Sequence, residues 1–191
     1  MIIIIDNYDS FTYNLVQCVG ELGHRIKIIR NDKINLQEIE QLNPSHIIIS
    51  PGPGCPEDAG LSLNIISYFA SKTPILGVCL GHQSIGHLYG GTITKLNEPM
   101  HGKISEIYHN QEDIFVKLPN PFRAIRYHSL IIKNKSLPKT LKVTATTKEG
   151  IIMACQHREH PSLRGIQFHP ESLWTDSGKV IIKNFLFTKI R

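Results

Sequence analysis

Three short stretches, Ile2-Ile3-Ile4-Ile5, Ile47-Ile48-Ile49 and Ile75-Leu76-Gly77-Val78, are apolar at every position. A strand with one face in water alternates apolar and polar residues, so an unbroken apolar strand must be covered on both faces, as in a parallel sheet between two layers of helices. Amphipathic segments at Thr12 to Leu22, Leu36 to Leu42 and Leu61 to Ala70 separate these runs. Arg25-Ile26-Lys27-Ile28 alternates charge with isoleucine and belongs nearer a sheet edge. The pattern predicts an α/β fold: an open, mostly parallel central sheet flanked by helices, with the first, third and fourth strands at its centre. Beyond Gly91 the apolar runs become short and β-like: Thr92 to Lys95, Ile104 to Tyr108, Ile114 to Val116, Leu130 to Lys133, Leu141 to Thr146, Ile151 to Gln156 and Gly165 to His169. These predict an additional small antiparallel sheet, and Ser177 to Ile190 predicts a terminal helix. With no repeat or linker, the 191 residues read as a single domain, 1–191.

The formal net charge of +5 would suit an acidic partner, but the basic residues are scattered rather than clustered, which argues against nucleic-acid binding. Met1 to Ile5 is too short for a signal-peptide core or a membrane span and reads as a strand, so no membrane association is expected. Four cysteines, Cys18, Cys55, Cys79 and Cys155, include no CxxC pair and point to a reducing compartment without disulfides. The abundance of Ile, Lys and Asn hints at an AT-rich genome. The expected location is the cytoplasm, or the plastid stroma if the gene is organellar.

Open α/β sheets bind ligands at the carboxyl ends of their strands. Cys79 falls at one such end, in Pro74-Ile-Leu-Gly-Val-Cys-Leu-Gly-His-Gln-Ser-Ile-Gly86, where a strand gives way to a helix. A thiol there faces the free N–H groups and positive end of the helix, which favour thiolate, and Gly77 and Gly81 allow a sharp corner. A nucleophilic cysteine needs a base. His169 ends a late strand, and Glu171, two residues on, lies on the same side of an extended chain and can orient the imidazole. Attack on a carbonyl also needs oxyanion donors. Leu80 N–H is the first candidate; the second comes from Pro51-Gly52-Pro53-Gly54, where Pro53 has no N–H, leaving Gly52 or Gly54. His157, Glu159 and His160 have the composition of a metal motif, but their spacing beside Arg158 and Pro161 reads as a solvated turn, and no metal is inferred.

"GVCLGHQ", "SPGPGCPEDAG", "RYHSL" and "FHPES" together resemble the triad-type glutamine amidotransferases. "DNYDSFTYNL" and "MHGK" are similar to the subgroup of glutaminase components that serve anthranilate and aminodeoxychorismate synthesis. The resemblance runs from the first strand to the last helix. It implies Cys79 as nucleophile, His169 as base and acid, and Glu171 as its orienting partner. It adds a pocket for L-glutamine in which Gly52, Pro53 and Gly54 line the amide side, Gln83 holds the substrate, and Ser129 and Leu130 present backbone to its amino-acid end. It implies hydrolysis of glutamine with no cofactor in this chain, and delivery of ammonia to a separate chorismate-binding synthase subunit: an anthranilate synthase, or alternatively an aminodeoxychorismate synthase or both. Asn7 to Thr12 and the Met100-His101-Gly102-Lys103 loop are expected to flank the pocket. Cys55 stands where members of the subgroup often carry another small residue. A γ-glutamyl hydrolase or cysteine peptidase could use the same Cys, His and Glu.

Overall fold

The computed structural model describes residues 1–188. β1 (Ile2–Asp6) pairs in parallel with β2 (Ile26–Arg30) on one side and β3 (His46–Ile49) on the other, and β3 pairs in parallel with β4 (Ile75–Val78). Helices α1 (Thr12–Gly20), α2 (Leu36–Gln41) and α3 (Ser62–Phe69) provide the crossovers, and α4 (Leu80–Leu88) follows β4. As the apolar runs require, β1, β3 and β4 are interior and β2 is the edge. Alternate residues of β1 feed two different cores. Ile2 and Ile4 join Leu15, Val19, Ile181 and Phe185 beneath α1 and the terminal helix α5 (Gly178–Leu186). Ile3 and Ile5 join Ile39, Ile65, Ile66 and Ile85 beneath α2, α3 and α4.

The antiparallel strands are β5 (Ile93–His109), β6 (Phe122–Ile132), β7 (Leu141–Thr146), β8 (Ile152–His157) and β9 (Leu163–Ile166). They continue the parallel part through β9, which pairs in parallel with β4 and antiparallel with β8, giving the order β2-β1-β3-β4-β9-β8-β7-β5-β6. Several boundaries differ from the sequence pattern. The runs at Thr92 and Ile104 are one strand of 17 residues, bent by register shifts between Lys95 and Met100 and between His101 and Lys103, with Gly102 at φ +70°. Ile114 to Val116 is not a strand: Asp113–Phe115 forms a single 3-10 turn between the positive-φ residues Asp113 and Lys117, and its apolar side chains are buried in the α5 core. Leu130 to Ile132 is the end of the longer β6. β9 stops at Ile166; Gln167 N–H still bonds Met153 O of β8 (2.8 Å), and His169 lies beyond the strand. Ile190 lies outside the described residues. No described helix is long and apolar enough to cross a membrane.

Candidate active site

The turn from β4 to α4 is made by Cys79 at φ 52°, ψ −99°, a conformation that costs a non-glycine residue of order 1–3 kcal/mol. Two backbone bonds hold it, from Cys79 N–H to Ile166 O (2.8 Å) and from Gln83 N–H to Cys79 O (3.0 Å). The flanking glycines are obligatory. A Cβ on Gly77 would lie 2.4 Å from Gly81 O, and one on Gly81 would lie 2.7 Å from Ile49 O, because α4 packs backbone to backbone against β4 and β3. The corner predicted from the two glycines is therefore present, with Cys79 buried at 7% exposure.

Beyond β9, His169 Nδ1 and Glu171 Oε1 are 2.7 Å apart and both side chains are buried. The imidazole sits against two aromatic rings that stack on each other at 5.4 Å: Tyr127, edge to face at 5.3 Å, and Phe11 at 5.8 Å. Phe11 is delivered by the β1–α1 loop, which folds around Asp6, whose Oδ1 accepts from Tyr8 N–H, Asp9 N–H and Thr12 Oγ1. Burial works against the charged form of His169, but Cys79 and then Glu171 outweigh it and push its pKa up to about 10. The free ring nitrogen, Nε2, makes no hydrogen bond of standard geometry among the described residues. Cys79 thus stands close enough to His169 to influence its protonation without an aligned bond to Nε2, a looseness common in sites without substrate. Asp9 faces both His169 and Glu171, and burial holds its carboxyl above the usual range.

The Pro51–Gly54 loop is fixed from below by Asn7. Asn7 donates its backbone N–H to Ser50 Oγ (2.9 Å) and its amide to Ser50 O (2.8 Å), while its Oδ1 accepts from Asn31 and Ser62. Gly52 presses on this residue and on the start of α4: a Cβ there would lie 2.6 Å from Asn7 Cβ and 2.7 Å from Leu80 Cδ2. Gly54, at φ +78°, lies instead against Asp58, and Pro53 is exposed at the tip. Cys55 donates its thiol to Asp58 Oδ2 (3.0 Å), and Asp58 followed by Glu57 pushes the thiol up to about 11.

Gln83 is buried, and its amide nitrogen serves two acceptors, Leu130 O at 3.0 Å and Gln167 Oε1 at 3.2 Å. Only its oxygen remains for a ligand. Ser129 is exposed and Leu130 half-buried in β6, adjoining this bond. Met100 to Lys103 is not a loop but the bulged part of β5, opposite Arg126 to His128, and His101 meets the Tyr127 ring at 6.1 Å. His157 and His160 do form a turn: His157 Nδ1 accepts from Glu159 and His160 N–H and the two rings stack, although His157 is itself buried. Phe11 belongs to the Asn7 to Thr12 stretch expected to flank the pocket, and it does so; Gln167 and Tyr127 are site residues to which sequence reasoning assigned no role. The alternation Arg126-Tyr127-His128, polar and aromatic within a strand, was the available signal.

Comparison with known proteins supplies the class. Residues 3–189 match the family described as glutamine amidotransferase class-I, and the chain belongs to that family of enzymes. Anthranilate synthase component 2 of Pyropia yezoensis is 64% identical over 186 residues, 97% of this chain and 98% of that protein. The aminodeoxychorismate/anthranilate synthase component 2 of Bacillus subtilis (strain 168) is 54% identical over 188 residues, 98% of this chain and 96% of that one. Among solved structures, a candidate GMP synthase component from Thermoplasma acidophilum superposes with a TM-score of 0.84 at 26% identity, covering 97% of this chain and 91% of its own.

Proposed function

We propose that the chain is the glutaminase subunit of an anthranilate synthase and that Cys79, His169 and Glu171 carry the reaction. The observation that carries this reading is the buried His169–Glu171 pair set beside a cysteine held on a strained strand-to-helix corner. The Cys79 thiolate attacks the side-chain carbonyl carbon of L-glutamine, and the carbonyl oxygen becomes an oxyanion. Leu80 N–H, unpaired within the helix as any first-turn N–H is, and Gly52 N–H receive it. Gly52 is favoured over Gly54 because it lies against Leu80. Charged His169 passes its proton to the amide nitrogen, the C–N bond breaks and ammonia leaves, giving a γ-glutamyl thioester. Water then attacks the thioester, loses a proton to His169, and the C–S bond breaks to give glutamate and the thiolate. Each step is complete with side chains and water, so no cofactor is invoked. Gln83, through its amide oxygen, and the backbone of Ser129 fix the amino-acid end of the substrate; the Leu130 carbonyl, already accepting from Gln83 and His128, supports that end indirectly by holding Gln83.

Both relatives are named as component 2 of their synthases, which supports delivery of ammonia to a separate chorismate-binding synthase subunit. The double name of the Bacillus subtilis relative favours a second reading, in which the same chain also serves aminodeoxychorismate synthase. A reducing compartment, cytoplasm or plastid stroma, fits the free cysteines. In the reconstituted complex, Cys79→Ala should abolish glutamine-dependent synthesis and leave synthesis from added ammonium intact. Appreciable glutamine-dependent turnover by that variant removes Cys79 as nucleophile.

A further inference from the structure

Gln167 is fully buried between β9 and His169, and its amide nitrogen lies 3.6 Å from Cys79 Sγ. Which end of an amide faces a neighbour follows from what that neighbour can do. The Leu130 carbonyl only accepts. It stands 3.0 Å from the Gln83 amide nitrogen and 3.0 Å from His128 Nδ1, so both groups present N–H to it. The second N–H of Gln83 meets Gln167 Oε1 at 3.2 Å, and this turns the Gln167 NH2 toward the sulfur. On the far side, burial and then Arg126 push His128 down to about 3, so its ring is neutral. With Nδ1 protonated, its bare Nε2 accepts from Arg126 Nε at 3.0 Å, and Arg126 Nη1 is anchored on Ser105 Oγ at 3.1 Å. Every amide and ring in this series has one consistent orientation.

We propose that this relay, running from Arg126 through His128, the Leu130 carbonyl and Gln83 to Gln167, holds an N–H against Cys79 Sγ and makes Gln167 a further catalytic residue. Gln83, His128 and Arg126 are its positioning residues. The inference rests on the reading of Cys79 as nucleophile. A hydrogen bond to a charged sulfur is stronger than one to a thiol or thioester, both weak acceptors. The Gln167 N–H therefore favours the sulfur as thiolate both before attack and when it leaves the thioester. The other charged groups facing the Cys79–His169 pair are Glu171 and Asp9, and neither contacts Gln167 or Gln83 through a hydrogen bond. The relay also explains why Arg126 and His128, far from solvent, flank Tyr127 in the same strand.

The test is the rate of Cys79 alkylation by iodoacetamide in the full-length chain, followed by mass spectrometry across the range in which thiol and imidazole titrate. Gln167→Met keeps the bulk and removes the N–H. It should raise the midpoint of the alkylation profile by about one pH unit and slow alkylation near neutrality about tenfold, the effect of one bond to a charged group. Gln83→Met leaves the Gln167 amide in place but unheld, and should shift the midpoint in the same direction by less. A purely structural role lowers the melting temperature without moving the midpoint. An unchanged midpoint in folded Gln167→Met overturns the relay; if that variant does not fold, an unchanged midpoint in folded Gln83→Met does so. Failure of the nucleophile reading is a separate result, read from glutamine hydrolysis by Cys79→Ala.

Discussion

Tyr127 meets His169 edge to face, with ring centroids 5.3 Å apart and planes at 88°, and Phe11 braces both rings. In the proposed mechanism the imidazole exchanges protons with sulfur, substrate and water and has to stay in one orientation, and this cage holds it from two distant parts of the chain. Aromatic pairs contribute about 0.5–1.5 kcal/mol each beyond burial, a factor of roughly two to twelve in rate if all of it bears on ring position. Tyr127→Ala should therefore lower glutaminase kcat several-fold with little change in KM, while Tyr127→Phe keeps most of it. Steady-state kinetics of the two variants in the complex decide; equal losses would place the role in the hydroxyl instead.

Cysteine reactivity should be selective. Burial pushes Cys18 up to about 11 and Cys155 up to about 12, and Asp58 followed by Glu57 pushes Cys55 up to about 11. Thiols so placed are almost wholly protonated at neutral pH, and only thiolate reacts. Peptide mapping after brief iodoacetamide treatment at neutral pH should find Cys79 modified well before the other three. Labelling of Cys55 at a similar rate would mean that its bond to Asp58 does not persist in solution.

In the proposed mechanism Glu171 acts on the reaction through His169. Replacing it with Gln keeps a group of the same size beside Nδ1 but removes the charge that helps raise the imidazole. Glu171→Gln should reduce glutaminase turnover by roughly ten- to a hundredfold, less than His169→Ala, and should move the alkaline limb of its pH profile to lower pH. Complete loss in both folded variants would assign the glutamate a larger part than orientation.

The buried histidines make stability fall on both sides of neutrality. His82 and His128 are driven down to about 3, chiefly by burial, against an unfolded value of about 6.5. Between those values the unfolded chain binds more protons than the folded one, so stability is lost as pH falls from about 6.5 toward 3, with a slope approaching about two protons. His169, raised to about 10, has the opposite sign. Its contribution is full below about 6.5 and is lost as pH rises toward 10. Urea unfolding at several pH values measures both limbs. His82→Leu should flatten the acid limb by about one proton; an unaltered acid slope would mean that the ring is not held neutral.

The sheet centre was legible because four consecutive isoleucines in β1 admit one burial state, and Cys79 was legible because Gly77 and Gly81 bracket it on a strand-to-helix pattern. What escaped depends on contacts across long separations or on backbone signs. β5 reads as two strands because Pro99 and Gly102 interrupt it, yet the register shifts against β6 absorb both residues. Ile114 to Val116 has the composition of a strand, but positive φ at Asp113 and Lys117 turns it into a knot that buries Ile114 and Phe115 under α5 and leaves Val116 exposed. Gln167 looks like one more strand residue, since the partner that orients its amide, Gln83, stands 84 positions away. Phe11 lies 158 residues before His169; its stretch, Asn7 to Thr12, reads as a flank of the pocket, but nothing local marks the imidazole as its partner.

The backbone at Cys79 also bears on how such a chain can change over time. At φ 52°, ψ −99° the residue that folding alone would select is glycine, which adopts these angles without strain. If Cys79 is the nucleophile proposed above, its chemistry is what maintains it against the preference of the fold. In a lineage where glutamine hydrolysis ceased to matter, glycine at 79 would be both inactivating and stabilising. Decay of the enzyme there would run downhill in free energy, leaving a sturdier, silent protein of the same shape.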